Sequence, residues 1–311
     1  MAGALAGLVG DTAAFVELLA KRQPEVFAPD AWPVGVPGPK DLDEVLRGGL
    51  LRVPYVEMVR AGEVVPAAEF CTTRTVAGRR EQGFADPERI GALLAEGATL
   101  LLPQLDQWHP SVRALAADIA RTLGRRTEAF CFATGPGRRG LDVHRDDADV
   151  LVVQLAGEKE WTVHEAPADG RWHPGPAPEP GPVALATVLR AGQVLYVPRG
   201  AAHAATGHAG LSVHLSFTVR EAGTGGMWGA IGEWLAGGGR AATLPQRPAT
   251  EAELLAAAAE LLRLGRERLA ALTPEELLRL ARGPLPTADE SGLHGPHGPH
   301  GSHGPLGQDP A

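Results

Sequence analysis

Between Thr127 and Arg220 the chain is cut into short apolar runs: AFCFAT, VLVVQL, EWTVH, ATVL, QVLYVP and LSVHLSFTV. Glycine and proline turns separate them. Runs this short, rich in valine, threonine and aromatic residues, build strands, and several in succession make a β-sandwich or barrel. One stretch inside this region, EAPADGRWHPGPAPEPGPVA, is too rich in proline for regular structure and reads as a long loop.

Helical periods flank the β-rich region. Asp11-Thr-Ala-Ala-Phe-Val-Glu-Leu-Leu reads as a capped amphipathic helix, and DLDEVLRGGL as a short one stopped by Gly48 and Gly49. Asp86 caps a helix with Pro87 in its first turn and Gly97 at its end, and ATLLLP then reads as a buried strand. HPSVRALAADIARTLG is a helix from Pro110 to Gly124. After Arg220 come GMWGAIGEWLAGG, EAELLAAAAELLRLGRERLAAL and TPEELLRLARG, all helical. The expected organisation is a mainly helical region over 1–95, a β-rich unit over 96–222, a helical region over 223–285 and a disordered tail over 286–311. In that tail His294, His297, His300 and His303 alternate with glycine and proline. Such a tract can chelate metal without presenting a fixed site.

Composition narrows the partners. The formal net charge is −8 and no lysine- or arginine-rich block occurs, which argues against direct nucleic-acid binding. The acidity suits a basic protein partner as a field effect. Cys71 and Cys131 lie far apart with no CxxC spacing, so buried free thiols are expected. The opening MAGALAGLVGD lacks a basic flank, and no apolar run reaches the length of a membrane span. A cytoplasmic protein without membrane attachment is expected.

The chemistry concentrates in LDVHRDDADVLVVQLAGEKEW. His144 and Asp146 are separated by one residue, so on an extended segment both side chains point the same way. Such a pair is either a polar turn or two of the three ligands of a two-histidine, one-carboxylate iron(II) site, with a distant histidine as the third. Downstream, AGQVLYVPRGAAHAATGH reads as strand, turn and His203 entering the next strand, which a β-sandwich can bring alongside. Asp147 and Asp149 have the opposite parity to His144, which leaves Asp146 as the ligand candidate.

Lys159 adds a separate argument. In GEKEWTVH it alternates in phase with Trp161 and Val163, opposite Glu158, Glu160 and Thr162. An inward lysine either meets an anion or snorkels to the rim. In LSVHLSFTV, Ser212, His214, Ser216 and Thr218 share one face. That face is solvent or a polar pocket; parity serves both.

With these residues in view, TGPGRRGLDVHRDDADVLVVQLAGEKEWTVHE and LRAGQVLYVPRGAAHAATGHAGLSVHLSFT closely resemble the JmjC/cupin-like ribosomal oxygenases. These are iron(II)- and 2-oxoglutarate-dependent protein hydroxylases. The resemblance covers roughly residues 10 to 222 and implies an α+β protein on a double-stranded β-helix (jelly-roll, cupin type). It implies Fe(II) held by His144, Asp146 and His203, and 2-oxoglutarate held at its distal carboxylate by Lys159. Ser216 matches an assisting hydroxyl, His214 lies close by, and Thr134 aligns with a threonine before the metal motif. The implied substrate is a protein side chain, with a ribosomal protein as precedent. A peptide or small molecule is the second reading, and a silent metal- or partner-binding cupin the third.

Three departures stand out. Phe132 replaces a common tyrosine, Phe130 an asparagine, and Asp142-Val143 a Pro-Pro pair. The C-terminal helices resemble a dimerisation region. Their stripe of Leu254, Ala257, Ala258, Leu261, Leu262 and Leu264 suits packing on the chain's own barrel or across a homodimer.

Overall fold

The computed structural model describes residues 3–136, 142–208, 210–237, 244 and 247–286. The histidine-rich tail and Leu141 lie outside them. Helices α1 (Ala4–Val9) and α2 (Thr12–Lys21) precede strand β1 (Glu25–Phe27), and α3 (Pro39–Arg47) precedes β2 (Glu57–Arg60) and β3 (Glu63–Val64). Next come α4 (Ala67–Phe70), the hairpin β4 (Cys71–Val76) and β5 (Arg79–Ala85), and α5 (Pro87–Ala95). They lead to β6 (Thr99–Leu102), α6 (Leu105–Trp108) and α7 (Pro110–Leu123). Strands β7 (Thr127–Thr134), β8 (His144–Arg145), β9 (Ala148–Ala156), β10 (Glu158–His164) and β11 (Gly175–Pro176) follow. Then come β12 (Val183–Arg190), β13 (Val194–Val197), β14 (His203–Gly207) and β15 (Ser212–Arg220). Helices α8 (Thr224–Ala236), α9 (Glu251–Ala271) and α10 (Pro274–Arg282) close the described chain.

Two antiparallel sheets face each other, as a double-stranded β-helix requires. The larger runs β1-β13-β9-β15-β7-β6-β2-β3 and the smaller β11-β8-β14-β10-β12. Alternation along β9 explains why VLVVQL is apolar throughout. Leu151 and Val153 join the core beneath the helices, whereas Val150 and Val152 join Trp161, Val163 and Val197 between the sheets. A strand buried on both faces has no polar side to show. On β15, Leu215, Phe217 and Val219 take the helix side, so Ser216 and Thr218 face the barrel interior rather than solvent.

The helices on the outer face are set by their caps. Asp11 accepts from the amides of Ala13 and Ala14, and Asp86 from those of Glu88 and Arg89. Gly124 ends α7 at φ 64, a left-handed cap. Helix α7 buries Val112, Leu115 and Ile119 against the large sheet. Phe15 of α2 meets Tyr196 edge-on, with ring centroids 5.2 Å apart. Each fully buried side chain of this size is worth about 1.5–3 kcal/mol.

The first 95 residues are mixed rather than mainly helical, because β1 to β5 lie among the helices. Strand β1 pairs with β13 and β2 with β6, so residues before 95 extend the large sheet at both edges. Strands of two to four residues cannot display a period of two, and the β4–β5 hairpin is mostly exposed, which hides its alternation. The proline-rich loop holds one short strand, β11, paired with β8. Helices α9 and α10 start at capping boxes, Thr250 with Glu253 and Thr273 with Glu276. Helix α9 buries none of its residues, and Leu254, Leu255, Leu261 and Leu262 are exposed rather than packed on the barrel.

Gly157 joins β9 to β10 at φ +64, where a Cβ would run into the Leu211 carbonyl and lie 3.1 Å from Ser212 Cα. Gly192 has φ +97 and open space around it. Gly157→Ala is therefore expected to lower unfolding free energy by about 3 kcal/mol, and Gly192→Ala by about 1 kcal/mol, in urea titrations.

Candidate functional site

The two sheets enclose a cavity of about 310 Å³. The small sheet brings the motif residues to it. Strand β8 lies between β11 and β14, and His144 stands directly opposite His203 in the antiparallel register. Asp146 follows β8 on the same side as His144. One Nε2 or carboxylate oxygen from each of His144, Asp146 and His203 falls within 4.8 Å of the others. His144 Nε2 is 3.8 Å from Asp146 Oδ1, and His203 Nε2 is 3.6 Å from Asp146 Oδ2.

Both imidazoles are oriented by their other nitrogen. His144 Nδ1 donates to the Asp142 carbonyl at 2.8 Å, and His203 Nδ1 donates to the Ala201 carbonyl at 3.1 Å. A carbonyl oxygen only accepts, so a neutral ring must carry its proton on Nδ1 and turn the Nε2 lone pair inward. Burial, aided by nearby His144, pushes the His203 pKa below its ordinary value, against the pull of Asp146. Neutral imidazoles and a carboxylate are the donor set for a divalent transition metal with open coordination positions.

The neighbouring aspartates are engaged elsewhere. Asp149 accepts from the Tyr196 hydroxyl at 2.8 Å and the Arg199 amide at 3.0 Å, and Arg125 pairs with it at 3.2 Å. Burial nonetheless pushes its pKa up. Asp147 is paired with Arg199.

Strand β10 turns Lys159, Trp161 and Val163 inward; Lys159 is 3 % exposed. Its ammonium donates to Thr134 Oγ1 at 3.1 Å, and the Thr99 hydroxyl donates to the same oxygen at 3.2 Å. No carboxylate pairs with Lys159 among the described residues. Burial alone pushes its pKa down to about 8. The cavity wall thus holds a desolvated cation that faces no anion among the described residues.

Ser216 lines the same cavity. Thr134 and His214 sit behind the wall rather than in it. His214 stacks on Phe132 with ring centroids 4.9 Å apart and planes at 12°. Its Nδ1 is buried without a hydrogen-bond partner among the described residues, and burial together with Lys159 holds its pKa well below the ordinary value. Thr99, Trp161, Thr218 and Arg220, none of them among the expected site residues, also line the cavity. Thr99 and Leu101 share parity on β6 and could have been found that way. Arg220 could not, because its placement depends on Glu128, which it meets at 2.9 Å across the strand pair.

Residues 105–225 match the model of the JmjC domain. Ribosomal oxygenase 1 of Rattus norvegicus is 30% identical over 201 residues, which are 61% of this chain and 31% of that protein. The bifunctional lysine-specific demethylase and histidyl-hydroxylase NO66 of Drosophila simulans is 29% identical over 155 residues, 46% of this chain and 18% of its own length. The chain therefore spans less than a third of either relative. Among solved structures, the Escherichia coli ribosomal oxygenase YcfD in complex with cobalt and 2-oxoglutarate superposes with a TM-score of 0.51. It is 16% identical, over 85% of this chain and 68% of that one. The superposition shows the shared fold.

Lys159 has a folded pKa of about 8 against 10.5 for an ordinary lysine, so the folded state releases its proton first. The charged form is penalised by about 3 kcal/mol. That penalty is complete below about pH 8 and is relieved as pH rises toward 10.5. Lys159→Met should stabilise the ligand-free protein by about 2 kcal/mol at pH 7. In urea unfolding at a series of pH values, the gain over wild type should shrink between pH 8 and 10.5.

Proposed function

We propose that this chain, which carries a JmjC domain and has ribosomal oxygenases among its relatives, is an iron(II)- and 2-oxoglutarate-dependent hydroxylase of protein side chains. The observation that carries the reading is the pairing of two features in one cavity. His144, Asp146 and His203 converge within 4.8 Å, and a buried lysine without a counter-anion stands on the same inner wall. The first suits iron(II), and the second suits the far carboxylate of a dicarboxylate.

In this reading His144, Asp146 and His203 hold the metal, and Lys159 binds the distal carboxylate with Thr134, Ser216 and His214 around it. Iron(II) and 2-oxoglutarate, when bound, supply the oxidation, with oxygen and 2-oxoglutarate consumed and succinate, carbon dioxide and a hydroxylated C–H position produced. The protein's residues do the rest. The two Nδ1 hydrogen bonds hold the imidazoles in place. Thr134 keeps the ammonium aimed, and Phe132, Val152 and Trp161 keep water from the cavity. Phe132 offers no hydroxyl, so the charge of Lys159 carries more of the co-substrate's binding. Residues 96–222 would be the catalytic unit and 223–285 an assembly region whose exposed α9 leucines pair across a homodimer. We place the reaction in the cytoplasm, with a basic ribosomal protein as the favoured substrate for an acidic enzyme.

One observation favours a second substrate class. The cavity wall contributed by β2, β6 and β7 is apolar at Val59, Leu101 and Phe130. A peptide or small molecule of a biosynthetic route, oxidised by the same chemistry, would fit that wall.

Purified protein given iron(II) and 2-oxoglutarate should form succinate, and His144→Ala should bind iron(II) at least about 100-fold more weakly. No succinate, with unchanged metal binding in the variant, would refute the enzyme reading. Mass spectrometry of ribosomal proteins from a deletion strain separates the substrates: a lost one-oxygen mass gain supports the ribosomal protein, and no loss favours the peptide or small molecule.

A further inference from the structure

The proline-rich segment between β10 and β12 contributes nothing to the cavity wall, yet it is fastened along its length. Arg22, which caps the C-terminus of α2, donates to the carbonyls of Pro167 at 3.1 Å and Ala168 at 3.4 Å. Trp172 lies on Gly200, where any Cβ would overlap its ring, and the Arg199 guanidinium sits 5.9 Å from that ring. His164 Nδ1 donates to the Gly181 carbonyl at 2.8 Å. Between these anchors, β11 pairs with β8, setting Gly175 opposite Arg145 and Pro176 opposite His144. The Ala177 amide then donates to Val143 at 2.8 Å.

Arg145 separates His144 from Asp146 and points to the opposite face, away from the cavity. Its Nε donates to the Gly200 carbonyl at 3.1 Å, and its Nη2 to the carbonyls of Pro180 at 3.2 Å and Glu179 at 3.4 Å. Gly200 in turn donates its amide to the Asp146 carbonyl at 3.1 Å. One guanidinium therefore joins the segment bearing His144 and Asp146, the turn that delivers His203, and the proline-rich segment.

We infer that the proline-rich segment is an external splint for the metal-binding pair, and that Arg145 is the positioning residue through which it acts. This rests on His144, Asp146 and His203 being metal ligands. The physical need is plain. Strand β8 is two residues long and meets β14 at the single register pair His144–His203, too little ladder to hold a ligand pair. A metal site tolerates only about 0.5 Å of displacement in its ligands. A planar guanidinium with donors on separate nitrogens can serve three carbonyls at once, while a lysine offers a single point of charge. Proline lowers the freedom of the splint before it docks.

The test is cobalt(II) binding by the full chain, with the visible absorption of the bound ion as a second readout. Arg145→Met should weaken cobalt(II) about 10–100-fold and alter the absorption band, with the thermal midpoint of the metal-free protein little changed. Arg145→Lys should fall between Met and wild type, and it decides the matter should the methionine variant not fold. Affinities within twofold of wild type in the folded variants would overturn the inference alone. So would a loss confined to thermal stability. A wild-type chain that took up no cobalt(II) would overturn the ligand assignment together with it.

Discussion

The large sheet has to be covered on both faces, and most of the architecture follows from that. Strand β9 sends Leu151 and Val153 one way and Val150 and Val152 the other, so neither side can be left to water. Helices α1, α2 and α7 cover the first face. The small sheet covers the second, and because it must close over the large one, the segments bearing His144, Lys159 and His203 are carried into the interior. The candidate site residues are thus delivered by the same closure that buries the valines.

Closure sets a problem of charge, which the chain resolves in three different ways. Asp149 is buried but receives a hydroxyl, an amide and a guanidinium. At His203 burial pushes the pKa down, against the pull of Asp146. Lys159 donates to a hydroxyl and stands over the Trp161 ring, and among the described residues no carboxylate meets its ammonium. Stability alone would have selected a methionine there. The contrast between a satisfied acid and an unsatisfied base, both buried, is what singles out the second as a candidate site residue.

The legible parts of the sequence were those in which a period survives to be counted. Strands β7, β9, β10 and β15 announced themselves, and alternation alone put Lys159 beside Trp161 and Val163. The His144–Asp146 pair was legible because one intervening residue fixes a shared side on any extended segment. What escaped was either too short or held by backbone. Strands β2 and β3 give two to four residues, and β11 hides in proline. Arg145 looked like a spacer because its partners are carbonyls at Gly200, Glu179 and Pro180, which become neighbours only after folding. The polar face of β15 could not be assigned from parity, and its place inside the barrel was decided by the helices on the other side.

The order of strands has a consequence for how the chain is made. Strand β15, the last of the barrel to leave the ribosome, pairs with both β7 and β9 and so forms the middle of the large sheet. Until Arg220 has emerged, β7 and β9 present two open edges with unpaired amides and carbonyls, on apolar strands made well before their partner. Synthesis of this protein therefore passes through an interval in which nearly the whole barrel exists as sequence while its central seam does not. A truncation before β15 leaves two half-sheets with exposed edges rather than a smaller barrel.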